Sequence, residues 1–391
     1  MNNAPVVILG LQETGLYTAQ ALGKYNIPVY GFDSVTDRPG FYSRYLKPFL
    51  APHPYKEPDT LFREMIKLSD KLHARAVLIS TTEDYLQFQV KYREALEEYY
   101  KFIIPEPDFA GKILDKSGQA TLALNCGFKI PGHSEIKGIG DFNQWLKNHT
   151  WTSIIIKASD QAVWKTRVTQ KAFIPSDIDE LEKTALLLLN MEVPFIIQDM
   201  LDGDCLNNFE FNALMINGEI VESSVTQKLR QYPPGFGAAC LIRSTANEEV
   251  SLMGRMFVAK NKIEGFSNTE FKYNPVDKKF YFIETNARVW SQVRMTEYNG
   301  QNFIIKYYNY LTDNSILFNT TKYDKEIKWV DIFSDFVLWW RFLRKDRMNL
   351  FKWLLSLADT KDFGLLNIRD VKPFLHELSR IKLFRSNKRK V

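Results

Sequence analysis

The hydrophobic pattern changes period along this chain, and no other feature limits its fold more. Near the N-terminus, short apolar runs that read as buried strands (6–9, 28–33, 76–80 and 102–104) alternate with stretches of helical period (15–24, 60–72 and 83–99). Strands separated by helices pair by crossover, which gives βαβ units and a parallel sheet. Ligands of such a sheet gather at its carboxyl edge, marked here by Gly10, by Asp33 and by the run Ser80, Thr81, Thr82 and Glu83. A helical segment at 110–124 follows, then helix 141–148, strand 153–159, helix 179–189 and strand 194–201. Beyond that the period becomes two. Residues 210–229 alternate around Asn217 and Gly218, a pair that suits a type I′ hairpin. After a helix at 250–260, a second hairpin joins 268–274 to 278–288. Antiparallel pairs of this kind make an α+β unit distinct from the first.

Composition removes several alternatives. A chain of 391 residues, 45% hydrophobic and 25% charged, is a folded protein of two or three domains. Its three cysteines (Cys126, Cys205, Cys240) and five histidines are scattered, so neither a disulfide framework nor a Cys/His metal site has the needed spacing. The start, MNNAPVVILG, lacks the pattern of a signal peptide, and no 18 apolar residues run together. A cytoplasmic protein is expected. The formal charge of +5 is local: residues 380–391 carry six cations and no acid, leaving 45 cations against 46 acids elsewhere. No nucleic-acid partner is expected, and the basic end reads as a disordered tail. The tract 335–357 interleaves aromatics with Arg and Lys. It reads first as a helix pair whose apolar face packs on the body, with a weak peripheral membrane contact as the other reading.

The residues that bear chemistry sit on the second hairpin. Glu270 lies on one strand, and Glu284, Asn286 and Arg288 share a face of its partner. Two carboxylates and an amide oxygen converging there suit Mg²⁺, which takes one or two carboxylates and leaves its other positions to phosphate and water. Arg288 adds a planar fork for a carboxylate or phosphate. A solvated strand face with cross-strand charge pairs is the plainer alternative. The loop GLQETG at 10–15 has its glycines wrongly spaced for G-x-G-x-x-G, so a tight turn is favoured over NAD or FAD binding.

The hairpin, with Glu270 followed by ETNAR, resembles the Mg-ATP site of the ATP-grasp superfamily. DKSGQATLALNCGFKIP is similar to that family's element whose lysine, here Lys116, reaches the ATP phosphates. SIIIKAS is similar to the following strand, whose lysine is here Lys157. FIIQDMLDGD looks like the hinge that holds adenine, at Gln198, Asp199, Met200 and Leu201, with Asp204 at the ribose. The opening VVILGLQETG is similar to the pre-ATP-grasp domain of carboxylate-amine ligases, such as biotin carboxylase and D-aspartate ligase, and QKLRQYPPGFGAACLIRS to that branch's loop between hairpins.

The resemblance implies a Rossmann-like α/β domain over 1–110, a central ATP-grasp lobe over 111–200, a C-terminal α+β lobe over 201–325, and a helical extension with the tail over 326–391. It implies a ligase with ATP and Mg²⁺ as cofactors, joining a carboxylate, with an amino acid as one partner, to an amine through an acyl phosphate. Lys116, Lys157 and Lys228 would meet phosphates, Glu270, Glu284 and Asn286 the metal, and Arg288 and Arg230 the reacting groups. Glu13, Thr14 and Glu83 are either acceptor contacts or local turn residues. A homodimer stays open. The family's glycine-rich loop is replaced by the glycine-free stretch 158–173, where side chains such as Lys165, or a less flexible flap, would have to meet phosphate. A non-catalytic ATP-binding or regulatory protein on the same fold is therefore the alternative.

Overall fold

Five parallel strands open the chain: β1 (Val6–Leu9), β2 (Val29–Asp33), β3 (Lys47–Leu50), β4 (Ala76–Ser80) and β5 (Tyr100–Lys101), in the order β3-β2-β1-β4-β5. A computed structural model describes residues 3–149, 152–159, 161–170, 172–313, 326–345 and 348–387, with side chains at 161, 162, 165, 313 and 381–387 left out. β1 and β4 are wholly buried because helices cover both faces of the sheet, and their unbroken apolar runs reflect that. The expected helix over 83–99 is two helices, Glu83–Lys91 and Arg93–Glu97, broken at Tyr92, whose ring stacks on Phe62. The strand expected at 102–104 lies two residues earlier, as β5. Gly10 takes a positive φ of 89°, and a Cβ on Gly15 would fall 2.1 Å from the Gly10 carbonyl oxygen. The glycines thus serve a close backbone turn, with Thr81 Oγ1 donating to that same carbonyl at 2.8 Å.

A four-stranded antiparallel sheet follows: β6 (His133–Ile136), β7 (Ile154–Ala158), β8 (Ala172–Phe173) and β9 (Phe195–Asp199), in the order β6-β9-β7-β8. Helices Ile139–Asn148 and Ile178–Asn190 close its core, with Ile154, Ile156, Leu181, Ala185 and Phe195 at the centre. The helical segment before it breaks at Asp115 into Pro107–Leu114 and Lys116–Asn125. Asp115 is extended and accepts from the Gly118 amide at 2.6 Å, an N-cap that puts Lys116 in the first turn.

Seven strands form the third sheet: β10 (Asn208–Ile216), β11 (Glu219–Tyr232), β12 (Ala238–Ser244), β13 (Gly265–Asn274), β14 (Lys279–Asn286), β15 (Lys328–Val330) and β16 (Thr360–Asp362). Their order is β14-β13-β10-β11-β12-β15-β16, antiparallel except for the last pair. Asn217 and Gly218, at φ 53° and 81°, make the β10–β11 turn. The C-terminal extension is therefore not only helical, since it supplies β15 and β16. Its helices are Ile332–Leu338, which runs into a π-helical turn Trp339–Leu343, then Leu350–Ser356 and Lys372–Asn387. The last of these carries the start of the basic tail as helix, and 388–391 lie outside the described residues. The helix pair expected over 335–357 is present, but of its apolar groups only Leu338, Trp339, Trp353 and Leu357 are buried.

Two buried clusters tie the extension to the rest. Arg294 donates to Asp362 Oδ2 at 2.9 Å and also bonds Gln20. Asp370 accepts from Gln20 at 3.0 Å, from Ser43 at 2.5 Å and from the Arg44 amide at 3.0 Å. The first domain also shares a core with the large sheet, where Ile8, Val77 and Ile79 meet Leu214, Phe266, Trp290 and Phe303. No described helix is long and apolar enough to cross a membrane.

Candidate active site

Three strands carry the same two residue types in register. β10 has Glu210 and Asn212, β13 has Asn268 and Glu270, and β14 has Glu284 and Asn286. Antiparallel pairing sets Glu210 opposite Glu270 and Glu270 opposite Glu284, while Asn212, Asn268 and Asn286 form the adjacent rung. Like charges facing each other on a sheet destabilise it unless cations intervene. Here they do. Lys228, from β11, lies 2.6 Å from Glu270 Oε2 and 3.8 Å from Glu210 Oε1. Lys116, from the helix capped by Asp115, lies 2.8 Å from Glu284 Oε2. Burial pushes both lysines down, but Glu284 and Glu83 around Lys116, and Glu270 and Glu210 around Lys228, outweigh it, so both pKa values stand above the ordinary lysine value. Glu210 is pushed up by burial, with Lys228 opposing.

These rungs floor a cleft of about 300 Å³ between the seven-stranded sheet and the four-stranded sheet. Lys157, Gln198, Asp199, Met200 and Leu201 line its other wall, and Gly235, Phe236 and Gly237 overhang it. The structure thus brings together Lys116, Lys157, Lys228, Glu270, Glu284, Asn286, Arg288 and the hinge residues Gln198 to Leu201. Arg288 Nη1 donates to the Val289 carbonyl at 3.1 Å, and Nη2 lies 3.8 Å from Glu83 of the first domain. Thr14 Oγ1 is 3.2 Å from Ser291 Oγ, which lines the cleft. At the hinge, the Asp199 and Met200 amides already donate to the carbonyls of Gly132 and Ser153, both at 2.8 Å.

Two expected residues stand elsewhere. Arg230 does not line the cleft: its Nε and Nη2 grip the buried Asp335 at 2.6 and 2.8 Å, and Nη1 donates to Ser356 at 2.8 Å. The loop resemblance put Arg230 with Lys228 at the reacting groups, but the register shifts between them on β11. Asp204 is exposed and caps the short turn Cys205–Asn207, accepting from the Leu206 amide at 2.8 Å. Asp33 likewise is taken up by neighbouring loops, accepting from the Leu11 amide after β1 at 2.7 Å and from the Val35 amide at 3.0 Å. A larger void of about 920 Å³, lined by Tyr55, Gln87, Lys91, Glu135 and Lys137, separates the first domain from the central lobe and contains none of the expected site residues.

The sequence reading missed Glu210, Asn208, Lys272, Trp290 and Gln292, all of which line the cleft. The buried Asn208 Oδ1 has no hydrogen-bond partner among the described residues. Lys272 Nζ donates to the Leu201 carbonyl at 2.8 Å, and burial holds its pKa below the ordinary value. In place of a glycine-rich loop stands the helix Gln161–Arg167, pinned by buried Trp164, whose Nε1 donates to the Gln170 carbonyl at 2.7 Å. The Lys165 side chain lies outside the described residues.

The donor set fits a hard cation completed by a ligand: two opposed carboxylates and an amide oxygen, with phosphate and water for the rest. Among the described residues, no group of three or more His, Cys, Asp or Glu is placed to hold a metal unaided.

No protein-family model matches the sequence, and neither does any curated protein. Solved structures do match. An L-amino acid ligase from Bacillus licheniformis is similar at a TM-score of 0.64 and 16% identity, over 83% of this chain and 79% of that one. N5-carboxyaminoimidazole synthetase from Staphylococcus aureus, solved with ADP, gives 0.63 and 14%, over 83% and 80%. Biotin carboxylase from Campylobacter jejuni gives 0.60 and 14%, over 80% and 71%. At this level of identity the likeness shows the fold: a Rossmann-like domain followed by the two lobes of an ATP-grasp.

Proposed function

We propose that this chain is an ATP-dependent ligase that joins a carboxylate to an amine through an acyl phosphate. The observation that carries the reading is the rung of opposed carboxylates, Glu270 and Glu284, capped by Lys228 and Lys116 on the floor of a cleft whose far wall presents Lys157. ATP brings about four negative charges, and such a cleft offers both cations and metal-binding oxygens to receive them. Glu270, Glu284 and Asn286 would hold Mg²⁺, which when bound offsets charge on the transferring phosphoryl group. Lys116, Lys157 and Lys228 hold the phosphates, with both salt-bridged lysines exchanging a carboxylate partner for phosphate oxygens. The hinge, Gln198 to Leu201, receives adenine, and Asn208, rather than the capping Asp204, turns its unpartnered oxygen to the ribose hydroxyls.

Arg288 orients the reacting carboxylate with its planar fork. Glu83, which approaches that guanidinium from the first domain, makes closure of the site a joint property of two domains. An acyl phosphate needs no protein nucleophile but does need protection from water. The cysteines agree with that: burial raises the thiol pKa of both Cys205 and Cys240, which makes them poor nucleophiles. The similar solved structures, an L-amino acid ligase and an ADP-bound N5-carboxyaminoimidazole synthetase, support the reaction class, with an amino acid as the favoured substrate type.

The test is ADP and phosphate release over a panel of paired amino acids and other carboxylates. Turnover that needs both partners and falls at least about hundredfold in Glu284→Gln is expected. Unchanged turnover in that variant would sink the site. Mg-ATP binding with no turnover anywhere in the panel would favour the non-catalytic alternative.

A further inference from the structure

The helix Leu350–Ser356 is turned inside out relative to an ordinary surface helix. Trp353 alone is buried, whereas Leu350, Phe351, Leu354 and Leu355 are 52%, 68%, 53% and 56% exposed. At about 100° per residue these four side chains cover an arc of roughly 140°, one continuous apolar stripe facing away from the body. The neighbouring segment extends it: Phe336, Trp340 and Phe342 are also exposed, and the Phe336 and Trp340 rings stack at 6.4 Å. Cations accompany the stripe. Arg344 lies over the Trp340 ring at 3.9 Å, and Arg341, Lys345 and Lys352 are exposed. Between residues 336 and 358 the sequence has five Lys or Arg and a single acid, Asp346.

This outward face is anchored from behind. Trp353 Nε1 donates to buried Asp335 at 2.8 Å, Arg230 clamps Asp335 and Ser356, and Lys328 Nζ donates to the Ala358 carbonyl at 3.1 Å. The apolar groups point to solvent because the body holds the opposite side of the helix.

We propose that this face is a docking surface for an anionic lipid bilayer. A stripe of Leu, Phe and Trp flanked by Arg and Lys matches the interfacial zone, where apolar groups enter the acyl boundary and cations meet phosphate headgroups. A second copy of the chain fits worse, because a face-to-face pair would set the same excess of cations against itself. Docking also has a place in the molecule's geography. Arg341 Nη1 donates to Tyr232 Oη at 3.1 Å, and Tyr232 begins the loop whose Gly235 to Gly237 overhang the cleft. The face is thereby joined to the cleft's lining through this one hydrogen bond. The inference is independent of the ligase reading, since it rests on none of the cleft residues.

The experiment is vesicle co-sedimentation of the full chain with phosphatidylcholine alone and with added phosphatidylglycerol, at low and high salt. The expected result is retention on the anionic vesicles that weakens with salt and falls roughly tenfold or more in Phe351→Ser/Leu354→Ser/Leu355→Ser. Arg344→Glu/Lys352→Glu is expected to fall comparably, and unchanged circular dichroism in both variants separates lost docking from lost fold. Three results overturn the proposal: no retention on any vesicle; equal retention on neutral vesicles; or retention lost only in Lys388→Gln/Arg389→Gln/Lys390→Gln, which assigns it to the tail. A dimer in light scattering that the serine variant dissolves, without vesicle binding, gives the face to a second copy instead.

Discussion

Replacing Arg230 with methionine separates a residue that holds the helical extension from one that serves the cleft. The guanidinium donates twice to Asp335, at 2.6 and 2.8 Å, and once to Ser356. Asp335 is fully buried, and its carboxylate's other partners are Trp353 Nε1 at 2.8 Å and Cys240 Sγ at 3.6 Å. Methionine keeps much of the stem's volume, so the loss is mainly electrostatic. Stranding one member of a buried ion pair costs about 3–5 kcal/mol. A loss of about 3–5 kcal/mol is therefore expected. Urea unfolding followed by tryptophan fluorescence measures it, since Trp339 and Trp353 pack beside the pair at 5.4 Å from each other. Arg230→Met/Asp335→Leu recovers much of the loss, because it removes the stranded charge. Nucleotide affinity of the folded single variant stays within about twofold of the parent. An unchanged unfolding midpoint together with lost nucleotide binding would return Arg230 to the cleft and refute the assignment.

Other perturbations follow from the same geometry. Gly15→Ala places a Cβ against the Gly10 carbonyl and is expected to lower stability by about 2 kcal/mol or more, whereas Gly111→Ala, with nothing within 4 Å, leaves it equal or higher; paired thermal melts decide. Asn208→Ala is expected to weaken ATP binding by about 1 kcal/mol but to leave 2′-deoxy-ATP nearly unaffected, read by calorimetry; equal losses for both nucleotides remove Asn208 from the ribose. Burial holds the Asp331 carboxyl above the ordinary value, with its bonds to Ser334 and Phe333 opposing. A raised folded pKa means that this group's contribution is full below its unfolded pKa and fades as pH rises through the folded one. Asp331→Asn keeps a good helix cap, so its melting temperature gains on the parent as pH climbs from 4 to 8; a pH-independent difference contradicts this.

What the sequence made legible was what short stretches decide by themselves. β1 and β4 are unbroken apolar runs because the sheet buries both faces, and the Asn217-Gly218 turn needs only its own positive φ values. Glu270, Glu284, Asn286 and Arg288 were readable because one hairpin brings them together. β3 hid because KPFL is a half-exposed edge strand containing proline, and β15 and β16 because three residues carry no period. The breaks at Tyr92 and Asp115 split patterns that are continuous in period, since the first is fixed by ring packing and the second by a capping side chain. Glu210 depended on β10 pairing with β13, a non-consecutive neighbour; the repeated Glu-x-Asn motif, reversed on the middle strand, was the available sign. Arg230 was misread because Asp335, the partner that claims it, lies 105 residues away.

The place of β15 and β16 at the end of the seven-stranded sheet sets the order in which this molecule can be finished as it leaves the ribosome. Strands β10 to β14, with every proposed phosphate and metal contact on the large lobe, emerge while the outer edge of β12 is still bare. An uncovered strand edge recruits other chains. Arg294 has no buried carboxylate to grip until Asp362 appears, and Gln20, Ser43 and Arg44 wait for Asp370. A nascent chain stalled before these residues would carry its whole complement of cleft side chains on a domain pair not yet latched, with a sticky border in view of chaperones and proteases. The core that the first domain shares with the large sheet can form earlier, and the Asp362 and Asp370 latches close after it.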